Sequence, residues 1–158
     1  MTASEFTHIA LRVEQLRAAE AFYRSLFSLE VAFREAEMAD GWRTLPLSAD
    51  WKDAEQAGVV LGLVMLYRGG FRLALEAADS VSENGRLDHI GVFIEEEDLD
   101  GIRGRAAELG CRIVLDRPQA LILDDPFDVR WELNSFPYHD PPNLSTGART
   151  GRWVELEH

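Results

Sequence analysis

An imperfect internal repeat restricts the fold of this chain more than any other feature. Thr7-His8-Ile9-Ala10-Leu11-Arg12-Val13 returns near the middle as Asp88-His89-Ile90-Gly91-Val92-Phe93-Ile94. Both place aliphatic residues at every second position after the histidine, the period of a half-buried strand. Apolar residues at helical spacing follow each copy: Leu16, Ala19, Tyr23 and Leu26, then Leu99, Ile102, Ala106 and Leu109. Gly110 stands where a helix commonly ends, and the acidic run from Glu95 to Asp98, with Asp100, suits the positive end of a helix dipole. Short strand patterns come next. In the first half they are Leu29 to Arg34, Val59 to Tyr67 and Phe71 to Glu76; in the second, Arg112 to Leu115, Ala120 to Leu123 and Val129 to Asn134. Arg68-Gly69-Gly70 reads as a hairpin loop and Asp124-Asp125-Pro126 as a turn. Each half is therefore expected to be a β-α-β-β-β module, and the class α+β.

The expected organisation follows. Residues 1–76 form the first module, with an insertion at about 35–57. Residues 77–86 are a polar linker, and 87–136 form the second module. Residues 137–155 are an irregular C-terminal extension that Trp153 docks, and 156–158 read as the remnant of a vector-encoded tag.

Composition narrows the function classes. With 158 residues, 46% of them hydrophobic and 28% charged, the chain can bury a core without staples. No apolar run approaches the ~18 residues of a membrane span, and Met1 to Glu5 lacks the layout of a signal peptide. Sixteen basic residues against 28 acidic ones give a formal net charge of -12. Such a surface repels nucleic acid and anionic membranes, so neither is an expected partner. Cys111 is the sole cysteine; an intramolecular disulfide is impossible, and a cytoplasmic location fits.

Strand parity points to chemistry. If Ile9, Leu11 and Val13 face the following helix, then His8, Ala10 and Arg12 face away. In the second copy Ile90, Val92 and Ile94 face the helix, leaving His89, Gly91 and Phe93 opposite. Phe71, Leu73 and Leu75 leave Arg72, Ala74 and Glu76; Trp131 and Leu133 leave Arg130, Glu132 and Asn134. Thus His8, Glu76, His89 and Glu132 all lie on faces turned from the helices. Singly, such a histidine caps a strand and such a glutamate is solvated. As two repeat-related pairs they suit one divalent first-row ion, Ni, Co, Mn, Fe or Zn, because imidazole nitrogen and carboxylate oxygen are borderline-to-hard ligands. Arg12, Arg72 and Arg130 share these faces. They either balance nearby carboxylates or bind an anionic substrate group, which guanidinium recognises bidentately. Trp42, Met65 and Phe93 are core residues or pocket walls, Phe93 being the one assigned to the substrate. His139 is expected in a loop.

With these residues in view, the chain resembles the vicinal oxygen chelate superfamily, which includes glyoxalase I, methylmalonyl-CoA epimerase, extradiol dioxygenases, fosfomycin-resistance transferases and bleomycin-resistance proteins. The likeness covers about residues 5 to 136. It rests on Thr7-His8-Ile9 with Ala21-Phe22-Tyr23-Arg24, on Asp88-His89-Ile90 with Leu99-Asp100 and Glu108-Leu109-Gly110, and on Asp125-Pro126 through Trp131-Glu132-Leu133. Phe27-Ser28 replaces the usual Leu-Gly after the first helix, and Asp128 the usual glycine of the last turn. The resemblance implies a curved mixed sheet around a cavity. It also implies His8, Glu76, His89 and Glu132 as metal ligands, the His-Glu-His-Glu set of bacterial-type glyoxalase I.

The same resemblance implies a lyase or isomerase acting on a small substrate with vicinal oxygens through a metal-stabilised enolate. Glu132 or Glu76 would shuttle the proton, and the assembly would be a homodimer. The alternatives are an extradiol-type dioxygenase and a non-catalytic, resistance-type binding protein, because one scaffold hosts many chemistries.

Overall fold

The computed structural model of the protein describes residues 5–81, 87–126, 129–135 and 150–156. Residues 82–86 of the expected linker, Asp128, His139, most of the expected C-terminal extension and residues 157–158 lie outside the described residues.

In chain order the elements are β1 (Glu5–Val13), α1 (Leu16–Phe27), β2 (Glu30–Met38), β3 (Gly41–Thr44), α2 (Trp51–Gln56), β4 (Leu63–Arg68), β5 (Phe71–Ala77), β6 (Leu87–Phe93), α3 (Glu96–Glu108), β7 (Arg112–Arg117), β8 (Ala120–Asp124) and β9 (Arg130–Asn134). The class is α+β. By contacts the chain divides into two compact units, residues 1–10 with 87–137 and residues 11–86 with 138–158. The first ten residues thus group with the second half of the chain. Among the described residues no helix is long and apolar enough to cross a membrane.

The first unit is a mixed sheet in the order β1-β6-β9-β8-β7. β6 and β9 run parallel, with Gly91 opposite Glu132; β8 is antiparallel to both β9 and β7. One face packs on α3. Ile94, Leu99, Ala106, Leu121, Leu123 and Leu133 are buried there, with Val92, Ile102, Cys111 and Trp131 against them. Period-two alternation then leaves His89, Gly91, Phe93, Arg130, Glu132 and Asn134 on the opposite face, as parity requires. Glu96, Glu97 and Asp98 fill the first turn of α3, where the helix dipole favours negative charge. Arg103 pins the helix to the β7–β8 turn, donating to Asp100, to Asp116 and to the carbonyls of Arg117 and Pro118.

In the second unit β3-β2-β4-β5 form an antiparallel sheet. Its core gathers Leu16, Leu29, Ala36, Leu45, Val64, Leu66, Leu73 and Leu75, with Leu11, Val13, Ala19 and Tyr23 packed on it. The segment read as an insertion holds the end of β2, the hairpin strand β3, and α2. Asp50 caps α2, accepting from the backbone of Lys52 and Asp53 while Asp53 accepts from the backbone of Asp50. Residues 150–156 run along β3: Trp153 bridges to Thr44, and the Val154 amide donates to the Thr44 carbonyl at 2.7 Å. Val154 is buried in the same core.

Four local expectations are corrected. Ile9 is 43% exposed, because the helix-packed stretch of β1 begins at Leu11. Leu26 and Leu109 are 57% and 70% exposed. The covered stripe of α1 ends at Tyr23 and its last turn stays open, Phe27 being 45% exposed although it stacks on Tyr23, and Leu109 already caps α3 from outside. The strand expected from Val59 starts at Leu63. The Gly58 and Val59 amides donate back to the Glu55 and Ala54 carbonyls and close α2, so the chain reaches the ladder only at Gly62, whose amide donates to the Glu35 carbonyl and whose carbonyl accepts from the Ala77 amide.

At the end of α1, Ser28 adopts the left-handed conformation (φ 53°) that glycine favours. The backbone thus keeps the shape of the usual Leu-Gly ending without its glycine. Inside the unit, the buried Glu20 carboxylate accepts both arms of Arg34 (2.9 and 2.6 Å) and the Trp51 indole N–H (2.7 Å), joining α1, β2 and α2.

Candidate metal centre

Three neighbouring strands of the first unit, β1, β6 and β9, each bring one side chain to a common point. His8 Nε2 lies 2.8 Å from His89 Nε2. Glu132 Oε2 lies 3.2 Å from the first nitrogen and 2.9 Å from the second. The rings meet edge to face, 89° apart. Their Nδ1 atoms point the other way, His8 to Thr7 Oγ1 at 2.9 Å and His89 to Asp88 Oδ2 at 2.7 Å. The His8 side chain is 3% exposed, that of His89 12% and that of Glu132 21%. The cluster is thus largely shielded yet open toward the carboxylate.

Gly91 makes the convergence possible. It stands two residues beyond His89 on the same face and directly opposite Glu132. A Cβ there would lie 2.5 Å from both His8 Nδ1 and Thr7 Oγ1, well inside van der Waals contact. Gly91→Ala is expected to expel the His8 ring from its seat. Divalent affinity should then fall at least ~10-fold, since even second-layer changes at metal sites cost that much. Calorimetric titration of the folded variant checks this, and unchanged affinity would refute it.

Burial alone would raise the Glu132 pKa. The facing imidazoles of His8 and His89 more than offset that and hold the carboxyl far below the ordinary carboxylate range. Glu132 is therefore an anion at neutral pH.

The donor set fits a first-row divalent ion. With bonds of ~2.1 Å, adjacent donors stand ~3.0 Å apart around an octahedral ion and ~3.4 Å apart around a tetrahedral one. The observed edges of 2.8, 2.9 and 3.2 Å match one face of an octahedron.

The other candidate residues are placed as follows. Arg130 faces Asp124 across the β8–β9 ladder and forks onto its two oxygens at 2.7 and 3.1 Å, with Arg112 on the same carboxylate. Phe93 is half-buried on the His89 face of β6, opposite Asn134. Glu76 and Arg72, both on β5 and half-buried, and Arg12, exposed on β1, belong to the second unit. So do Trp42, whose ring covers Gly62, and Met65, buried on β4.

Sequence reasoning missed Thr7, Asp88 and Gly91 as site residues. Parity puts residue i and residue i+1 of a strand on opposite faces, yet Thr7 and Asp88 each reach the ring that follows. A short polar residue before the histidine in both copies of the repeat was the available signal.

A family model, Glyoxalase/Bleomycin resistance protein/Dioxygenase superfamily, matches residues 5–133 of the chain. None of the curated proteins matches it. Among solved structures, a variant of the Streptomyces coelicolor methylmalonyl-CoA epimerase in complex with 2-nitronate-propionyl-CoA is 22% identical. That match covers 84% of this chain and 94% of the other, with a TM-score of 0.53. The Mn(II)-bound glyoxalase from Novosphingobium aromaticivorans is 17% identical over 82% of this chain and 38% of that one, TM-score 0.53. A hypothetical protein from Bacillus halodurans is 15% identical over 84% of this chain and 94% of that one, TM-score 0.53. At these identities the likeness is one of fold.

Proposed function

Because the chain belongs to the glyoxalase, bleomycin resistance protein and dioxygenase superfamily, we propose that it is a divalent-metal-dependent lyase or isomerase of the glyoxalase type, acting on a small substrate with vicinal oxygens. The observation that carries this reading is the triangle of His8 Nε2, His89 Nε2 and Glu132 Oε2, with no edge longer than 3.2 Å. The Mn(II)-bound glyoxalase and the epimerase of similar fold support it.

A cation held there, Ni, Co, Mn, Fe or Zn, would supply Lewis acidity to two adjacent substrate oxygens. His8 and His89 hold it through Nε2, and Glu132 contributes the anionic donor. Glu132 is taken up as the anionic donor to the cation, which leaves proton transfer to the other carboxylate of the set. The proton carrier in this reading is Glu76, whose place as fourth ligand and as acid or base rests on the family resemblance. Arg12, Arg72, Arg130 and Phe93 are assigned to the substrate on the same footing. The substrate is then a small anion and the assembly a cytoplasmic homodimer, which sedimentation of the native protein checks.

A second reading has an observation of its own. Two imidazoles and one carboxylate on a single face are also the donor set of non-haem Fe(II) oxygenases. One experiment separates the readings. The metal-loaded protein is incubated in D2O without oxygen, with a hemithioacetal of methylglyoxal or with methylmalonyl-CoA. Exchange of the substrate's carbon-bound hydrogen, lost in Glu76→Gln, is expected. In a parallel incubation under O2 with a catechol, turnover that requires Fe(II) would move the protein to the dioxygenases. Metal binding with neither reaction would favour a binding protein.

A further inference from the structure

We infer that the residue immediately preceding each histidine of the metal centre is that ring's positioning partner, Asp88 for His89 and Thr7 for His8. The inference rests on the metal-dependent reading above and deepens it.

Side chains of consecutive residues in a strand stand on opposite faces, so a contact between neighbours is not a by-product of the ladder. Here it occurs twice, at equivalent places of the repeat: Asp88 Oδ2 to His89 Nδ1 at 2.7 Å and Thr7 Oγ1 to His8 Nδ1 at 2.9 Å. Both contacts engage Nδ1, and in both rings that leaves Nε2 turned to Glu132. Gly91 supplies the room, since a Cβ on it would meet Thr7 Oγ1 as well as the His8 ring.

The two partners are not equivalent. An ionised carboxylate only accepts hydrogen bonds, so His89 Nδ1 carries the hydrogen and its Nε2 keeps a lone pair, the tautomer that a cation needs. A hydroxyl donates or accepts by rotating, so Thr7 holds the His8 ring in either tautomer. His89 is therefore preset as a ligand, whereas His8 adjusts its hydrogen when a cation arrives.

Co(II) tests this, titrated into the metal-free protein against a chromophoric chelator. The Co(II) visible absorption is recorded alongside the affinity, and the Tm of each metal-free variant confirms folding. Asp88→Ala is expected to bind Co(II) ~10–100-fold more weakly with an altered band. Asp88→Asn, whose amide oxygen still accepts from Nδ1, should fall between it and the unaltered protein. Thr7→Val should lose ~10-fold, the lower end of the same range, and Thr7→Ser should restore the affinity. Unchanged affinity and spectrum in Asp88→Ala and Thr7→Val, with Co(II) still bound by the unaltered protein, would overturn the positioning role and leave the metal centre standing. An unaltered protein that binds no Co(II) would overturn both.

Discussion

Glu132→Ala is expected to lower divalent-cation affinity by more than the ~100-fold that losing an outer-layer partner can cost. Among the three converging donors of the first unit, Glu132 is the only anion. Its removal leaves two imidazoles 2.8 Å apart with no anionic donor facing their Nε2 atoms. His8→Ala and His89→Ala should each do comparable damage, because either leaves a pair of donors where the geometry offers three. Affinity in the unaltered protein should also fall as the solution is acidified, since protons compete for both Nε2 atoms. Competition titrations of the three variants at neutral pH provide the check; affinity within a few-fold of the parent in any of them would remove that residue from the ligand set.

The second large effect concerns stability. Glu20→Ala is expected to cost about 3–5 kcal/mol, the usual consequence of removing one partner of a buried ion pair. Its side chain is 4% exposed and that of Arg34 12%, so the guanidinium would stay buried without its counter-ion and the Trp51 N–H would lose its acceptor. That is a large share of the ~5–15 kcal/mol by which domains are commonly stable.

The same carboxylate sets a pH dependence. Burial would raise the pKa of Glu20, but hydrogen bonds from Arg34 and Trp51, with the charges of Arg34 and Arg24, bring it below the ordinary 4.5. A folded-state pKa lowered in this way stabilises the native protein fully above the unfolded value, and the contribution is lost as pH falls through the folded one. Denaturant unfolding at pH 7 and again below pH 4.5 should therefore show a smaller cost of Glu20→Ala in acid. An equal cost at both would contradict the assignment.

The parts of the molecule legible in the sequence were those written in a period. The alternation around His8 and His89 located β1 and β6, and the 3-4-3 spacing located α1 and α3. Parity then identified three donors that converge, His8, His89 and Glu132. Interactions that break a period were hidden. Thr7 and Asp88 contact the next residue in a strand, which alternation forbids in its simplest form. Glu20 lies inside an otherwise apolar stripe because Arg34 and Trp51, remote along the chain, satisfy it. The short α2 was passed over although Asp50 and Asp53 spell its capping box; a helix of six residues is too brief for a spacing to emerge. The pairing of Arg130 with Asp124 was hidden as well, because it crosses a strand pair whose register no period gives.

Pulsed electron paramagnetic resonance of the protein with Mn(II) tests the central claim most directly. One Mn(II) per chain should bind and couple to two imidazole nitrogens, with one coupling disappearing in His8→Ala and the other in His89→Ala. Mn(II) that stays unbound, or binds with no nitrogen coupling and the same signal in both variants, would contradict the account.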